Sequence, residues 1–347
     1  MGFTRRKFLK SSVVGAASIV AAPYVISNSK AAESISFVTW GGRYRRNIEK
    51  AFTHPFTEET GIEVVISDTP DMAVVRAQVQ SGNVQWDVFD AVGQQAAAGQ
   101  NEDLWEPLDK SIVDTDNLTG PVTDHIVGFY IWSGGIMWVP SRHEGSEVPM
   151  NFRQLWDTNR FPGRRAFRAR AYENLEIALL ADGTDPQDLY PLDVERAFSS
   201  LNRIKDSVAN WVSATPQTIE LLRTNEVDYS YGYSGRVVAA QDDGIDIDMS
   251  LEQTINGTEY LTALRGTRKR EAAMRFIDFC LRPDRQAEFS ELMIYHPVRG
   301  SALANIAEPA RRWLPDLEAP QNILLDDLWW GENDAVVSER FQEWMLT

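Results

Sequence analysis

From Ile35 onward the chain switches repeatedly between a strand-like and a helix-like hydrophobic period, and no other feature limits its fold as tightly. Ile35–Trp40 is apolar and β-branched and runs into the turn signal Gly41-Gly42. Asn47–Thr60 then places Ile48, Ala51, Phe52 and Phe56 at helical spacing and stops at Gly61. Ile62–Ile66 reads as a strand, Met72–Gln80 as a helix, and Trp86–Val92 as a strand followed by the polar Gly93-Gln94-Gln95. This βαβαβ order predicts a parallel sheet covered by helices.

A second alternation follows. Trp132–Val139 reads as an apolar strand containing Gly134-Gly135, and the polar Pro140–Pro149 after it marks a crossing between two lobes. Beyond it come a strand at Ala166-Phe167, helices at Glu173–Ala181, Asp193–Asp206 and Gln217–Thr224, and strands at Tyr229–Tyr233 and Ile245–Met249. Tyr260–Leu264 is expected to return to the first lobe, followed by amphipathic helices Arg270–Leu281 and Arg285–Met293. The expected division is residues 33–138 plus 265–296 for one lobe and 139–264 plus 297–347 for the other. Such lobes hinge about their crossing strands, and the cleft between them is the expected ligand site.

The first 32 residues stand outside that pattern. Arg5-Arg6 precedes Phe8-Leu9-Lys10, a weakly apolar run Val13–Val25, and the small-x-small sequence Ser29-Lys30-Ala31. The run falls short of the ~20 strongly apolar residues that span a bilayer. It is therefore expected to be a twin-arginine export signal, removed on delivery to the periplasm. Its removal takes five cations and no acid, so the formal charge moves from −16 to −21. A field of that sign repels phosphate backbones and anionic lipid, which argues against a nucleic-acid partner. Cys280 is the sole cysteine, so no internal disulfide and no cysteine-based metal site can form.

No catalytic constellation accompanies this organisation. His54, His125, His143 and His296 are widely separated and form no metal-spaced pair. Gly232-Tyr233-Ser234-Gly235-Arg236 lacks the last glycine of a nucleophile elbow. Asp242–Asp248 has carboxylates, but neither the glycine position nor the terminal glutamate of a calcium loop. The chain is read as a binding protein without cofactor or metal. A twin-arginine-exported enzyme is the alternative of another class.

Aromatic residues instead gather beside glycines at strand ends, where open α/β sheets present ligands: Trp40, Tyr233, Tyr260 and Tyr295. The segments Phe37–Gly42, Pro55–Val64, Trp86–Val88 and Glu226–Tyr229 leading into Tyr233–Arg236 resemble the extracellular solute-binding proteins of ABC importers, nearest the spermidine and putrescine receptors. The resemblance implies an α/β fold of the type II periplasmic-binding-protein kind. It also implies two lobes closing on a small molecule, a membrane ABC permease as partner, and a monomer. In that family aromatic side chains sandwich polyamine methylenes while carboxylates bind the ammonium ends. By the resemblance Trp40, Gly41, Gly42, Gln94, Tyr233, Tyr260, Tyr295, Glu173 and Glu332 belong to the site, but Arg170 and Thr262 stand where acids are expected.

A guanidinium repels a diammonium and pairs bidentately with a carboxylate. Arg170 and Arg236, with Arg43 near a helix N-terminus, therefore favour a ligand carrying an acid group: a hydroxy acid, a dicarboxylate or an ω-amino acid such as 4-aminobutyrate. Two alternatives stay open. Arg170 and Arg236 are instead solvated or bridged to Glu173 and Asp228, or the protein is a polyamine receptor with Arg170 turned away from the cleft.

Overall fold

The computed structural model describes residues 33–347, which form one compact unit. The export leader read in residues 1–32 lies outside the described residues. The strands are β1 (Ser34–Thr39), β2 (Glu63–Asp68), β3 (Val88–Val92), β4 (Val127–Trp138), β5 (Arg165–Arg168), β6 (Val208–Val212), β7 (Tyr229–Tyr233), β8 (Asp248–Met249), β9 (Ile255–Ala263), β10 (His296–Pro297) and β11 (Ile323–Leu324). They form a single sheet in the order β2-β1-β3-β9-β4-β7-β5-β6, with β8 and β10 on β4 and β11 on β9.

Each end of the sheet is parallel: β2-β1-β3 at one, β7-β5-β6 at the other. Helical crossovers produce this, as the alternating pattern predicts. Between them β9 and β4 run antiparallel to each other and to their outer neighbours β3 and β7. These two strands join the halves. In β4, Val127, Phe129 and Ile131 pack with Phe37, Phe52 and Phe276, whereas Ile136 and Trp138 pack with Phe167, Tyr231 and Phe341. In β9, Leu261 and Ala263 belong to the first cluster and Ile255 to the second. β4 starts at Val127, ahead of the Trp132 expected, because Val127–Ile131 is buried throughout and so lacks an alternating signature.

The helices are α1 (Gly42–Ile48), α2 (His54–Thr60), α3 (Met72–Ser81), α4 (Gly93–Asn101), α5 (Phe152–Trp156), α6 (Asn174–Ala181), α7 (Val194–Ile204), α8 (Pro216–Arg223), α9 (Ser234–Asp242), α10 (Arg270–Cys280), α11 (Pro283–Met293), α12 (Glu308–Arg311) and α13 (Asp327–Leu346). A wide π turn, Glu49–Thr53, makes α1 and α2 continuous, so the helix expected from Asn47 begins at Gly42.

The sequence pattern does not predict α13, the longest helix. Its buried residues Trp330, Val337 and Phe341 are scattered among exposed apolar ones, so its amphipathic signal is weak. The Asp326 side chain caps it, accepting from the Trp329 amide at 2.9 Å. Its first turns pack on α4 so closely that a Cβ on Gly93 would overlap the Asp327 carboxylate, and one on Gly331 would overlap Ala97.

Candidate functional site

Four helices begin just past strand carboxyl ends, α1 after β1, α4 after β3, α6 after β5 and α9 after β7. In open α/β sheets the ligand crevice lies outside those ends. Trp40–Arg43, Gln94, Arg170, Glu173, Tyr233 and Arg236 all sit at these junctions.

On the first half of the sheet the junction is acidic. Asp90 of β3 pairs in register with Leu261, and Val92 with Glu259, so Asp90 and Glu259 share one face as diagonal neighbours. Asp90 is 0 % exposed and Glu259 3 %. Thr39 Oγ1 and Tyr44 OH donate to Asp90 Oδ2 at 2.5 and 2.7 Å, and Trp40 Nε1 donates to Glu259 Oε1 at 2.8 Å. Asp90 Oδ1 has no partner. All three donors are neutral, and no cation lies within ion-pair distance of either acid among the described residues. Burial pushes the Asp90 carboxyl up to about 7 despite those hydrogen bonds. Burial, then the charge of Asp90, raises Glu259 well above the usual carboxylate range.

Tyr295 stands beside these acids. It follows Ile294, whose φ of 56° turns the chain out of α11, and its ring stacks on Tyr130 at 4.4 Å and 4°. α9 abuts this turn: Ser234 Oγ donates to Ile294 O at 3.3 Å, and a Cβ on Gly235 would strike Met293 O. The contact brings α9 and Arg236 toward Tyr295. Burial raises the Tyr295 hydroxyl, with Glu259 and Asp90 pushing it up and Arg236 and Arg43 pulling it down. The Tyr295 ring is thus linked to the acids through Tyr130 and Tyr44, and to α9 through the turn after α11. Arg43 and Arg236 are exposed and make no ion pair or hydrogen bond among the described residues.

The second half holds a closed network. Glu173, 1 % exposed, adopts φ 74° at the head of α6. Asn174 Nδ2 fixes the loop before it by donating to Arg168 O and Arg170 O, both at 2.6 Å. Arg170 Nε donates to Glu173 Oε2 at 3.0 Å, Nη2 bonds the same oxygen, and Nη2 also donates to Tyr233 OH at 2.8 Å. Tyr233 OH and Tyr231 OH donate to Glu173 Oε1 at 2.8 and 3.1 Å. Burial opposes the Arg170 charge, but Glu173 and Tyr233 carry its pKa above the usual guanidinium value. Trp132, over Gly257 of β9, meets the Tyr233 ring edge-on at 5.2 Å.

The arginine alternatives resolve separately. Arg170 is bridged to Glu173, whereas Asp228 pairs with Arg164 at 3.4 Å, not with Arg236. Gly41 and Gly42 are exposed beside Arg43, and Gln94 is half-buried in the first turn of α4. Tyr260 lies apart. Alternation along β9 turns it to the face opposite Glu259, where it is buried with Phe89 and Trp105 and donates to Asp327 Oδ2 at 2.9 Å. Glu332 is exposed on α13 with no bond to the cluster.

Asp90, Glu259, Tyr44, Tyr130 and Trp132 escaped the sequence reading. A signal existed for the two acids: each is the sole charged residue of a wholly buried or nearly buried strand, Val88–Val92 and Ile255–Ala263. Thr262 was taken for the position of a missing acid, yet the acid stands three residues earlier, on the opposite face of β9.

Residues 51–313 match the family model of bacterial extracellular solute-binding proteins. A gamma-aminobutyric acid-binding protein of Pseudomonas aeruginosa is 30% identical over 324 residues, covering 90% of this chain and 91% of the relative. The solved structure of the Atu4243-GABA receptor has a TM-score of 0.83 at 31% identity, covering 90% of this chain and 97% of that one. An ABC transporter substrate-binding protein from Bradyrhizobium japonicum USDA 110 also reaches 0.83, at 29% identity over 90% and 99% of the two chains. The strand-end cleft and these likenesses together place the chain in the bacterial extracellular solute-binding protein family, with a type II periplasmic-binding-protein fold and the role of small-solute receptor for an ABC importer.

Proposed function

We propose that this receptor binds an ω-amino acid of the 4-aminobutyrate class as a zwitterion. The ammonium end lies against Glu259 and Asp90, the carboxylate lies between Arg43 and Arg236, and the methylenes lie along Tyr295 and Trp40. One observation carries this reading: the buried, unpaired acids sit under the Tyr44–Tyr130–Tyr295 ring cluster, and the two helices that flank it, α1 and α9, bear the exposed and unpaired Arg43 and Arg236. An apolar linker with opposite charges at its ends is complementary to that arrangement. A relative and a solved structure whose names refer to this compound support it. Of the other site residues, Tyr233 and the Arg170–Glu173 pair form one wall, with Gly41, Gly42 and Gln94 at the rim; Tyr260 supports from behind through Asp327, and Glu332, exposed on α13, takes no part.

Closure follows from where the guanidiniums are anchored. Arg43 is carried by α1 on the first half and Arg236 by α9 on the second. Like charges approaching across a cleft resist closure, and a carboxylate between them reverses the sign of that interaction. The two lobes, 33–138 plus 265–296 and 139–264 plus 297–347, hinge about β4 and β9, and a membrane permease accepts the closed form. The protein is exported by the twin-arginine route, loses its leader, and acts as a periplasmic monomer without enzymatic activity.

The polyamine alternative needs a second free anion. Glu173 is the residue the resemblance offers for it, and Arg170 occupies that carboxylate. The test is calorimetry of residues 33–347 with 4-aminobutyrate, putrescine, spermidine and succinate. Binding of 4-aminobutyrate with putrescine and spermidine silent supports the proposal; the reverse replaces it with the polyamine reading, and binding of succinate alone makes the ligand a dicarboxylate.

A further inference from the structure

We propose that ligand capture exchanges a proton for an ammonium group: the empty receptor keeps one proton on the Asp90–Glu259 pair, and the entering cationic amine displaces it to solvent. This rests on the zwitterion reading above. The geometry leaves the pair little choice. Both acids are almost wholly buried on one face of adjacent strands, where diagonal neighbours lie roughly 7–8 Å apart at Cα and their side chains come closer. Their protein partners, Thr39, Tyr44 and Trp40, bring hydrogen bonds but no charge, and Asp90 Oδ1 is left without a donor.

The surrounding groups do not neutralise them. Tyr44 of α1, Tyr130 of β4, Tyr295 after α11 and Cys280 of α10 all have their pKa raised, first by burial and then by the nearby acids. Asp327 of α13 adds a further negative influence on Glu259, and Arg170 alone opposes it, already engaged with Glu173. Two carboxyls in one dry site without a counter-charge hold a proton between them. Burial holding Asp90 near 7 puts the exchange within the physiological range. An ammonium supplies the missing charge, both acids then ionise, and the proton leaves to the buffer.

The decisive measurement is titration calorimetry of the mature chain with 4-aminobutyrate at pH 6, in buffers of different ionisation enthalpy. Release approaching one proton per ligand is expected, with Kd tightening toward tenfold between pH 6 and pH 7. Asp90→Asn removes the repulsion between the two acids and should reduce both the release and the pH dependence. Binding with buffer-independent heats and a flat Kd from pH 6 to 8 overturns the exchange while leaving the zwitterion reading intact. Absence of binding overturns both. If Asp90→Asn does not fold, the wild-type proton count decides alone; if it folds with the release and its pH dependence unchanged, the assignment to this pair fails.

Discussion

Glu173 and Glu259 are both buried glutamates at the strand-end crevice, one on each half of the sheet, yet their surroundings are opposite. Glu173 accepts from Arg170, Tyr231 and Tyr233, so its charge is matched within the protein. Glu259 accepts only from Trp40 and has the acid Asp90 as neighbour. A matched buried charge is structural, whereas an unmatched one is kept only where something else supplies the counter-charge. Under the function proposed above, the difference makes Glu259 the residue that meets the ligand's cation and Glu173 part of the wall that holds Arg170.

The strongest way to break this assignment is Glu259→Gln, which should weaken 4-aminobutyrate binding about 100-fold or more in calorimetry. Glu173→Gln should act mainly on stability, and a larger affinity loss there than at Glu259 would invert the comparison. Arg170→Ala strands Glu173 and should cost about 3 kcal/mol in denaturant melts of the ligand-free protein. Arg236→Ala and Arg43→Ala should each weaken binding by about tenfold, consistent with ~1.4 kcal/mol for a partly solvated charged contact. Unchanged affinity in both would remove the carboxylate end from the proposal.

Stability against pH probes the unmatched acids together. Asp90, Glu176 and Asp327 are each raised by burial to about 7, above their unfolded values. The native state therefore holds the extra protons between about pH 4 and pH 7. Their contribution is complete below the unfolded pKa and is lost as pH rises through 7, with each fully retained proton worth ~1.4 kcal/mol per pH unit. The ligand-free Tm should thus be higher at pH 5.5 than at pH 8, and the reverse order would contradict these environments. The smallest effect belongs to Tyr260→Phe. It should cost about 1 kcal/mol of stability through the lost Asp327 bond and change affinity by less than about threefold.

Legibility in the sequence tracked hydrophobic periodicity. Strand β1 and helices α7 and α10 are legible because one face of each is buried and the other is not, whereas β3 and α6, buried nearly all round, are legible as short apolar runs bounded by polar residues. α4 was missed because its first turn, Gly93-Gln94-Gln95, has the composition of a loop, and α13 because its exposed and buried apolar residues mix. At the site, the junction residues Trp40, Arg43, Arg170, Glu173, Tyr233 and Arg236 could be found from strand ends. The pairing of Arg170 with Glu173 stands in the sequence only as one of two alternatives, since it depends on the left-handed backbone at Glu173. Glu259 and Tyr260 show the limit most clearly: in a strand, adjacent residues face opposite ways, so an alignment off by one position exchanges a ligand group for a packing group.

The hydrophobic clusters alternate along the chain, the first half taking residues before Ile131, the second those from Ile136 to Ile255, and each being visited once more after β9. Neither half is encoded as a contiguous stretch of gene. A single recombination event between relatives cannot trade one half for another without cutting through β4 or β9. The strands that join the two walls thus belong to both halves at once, and a graft that changes one wall has to keep their pairing with the other.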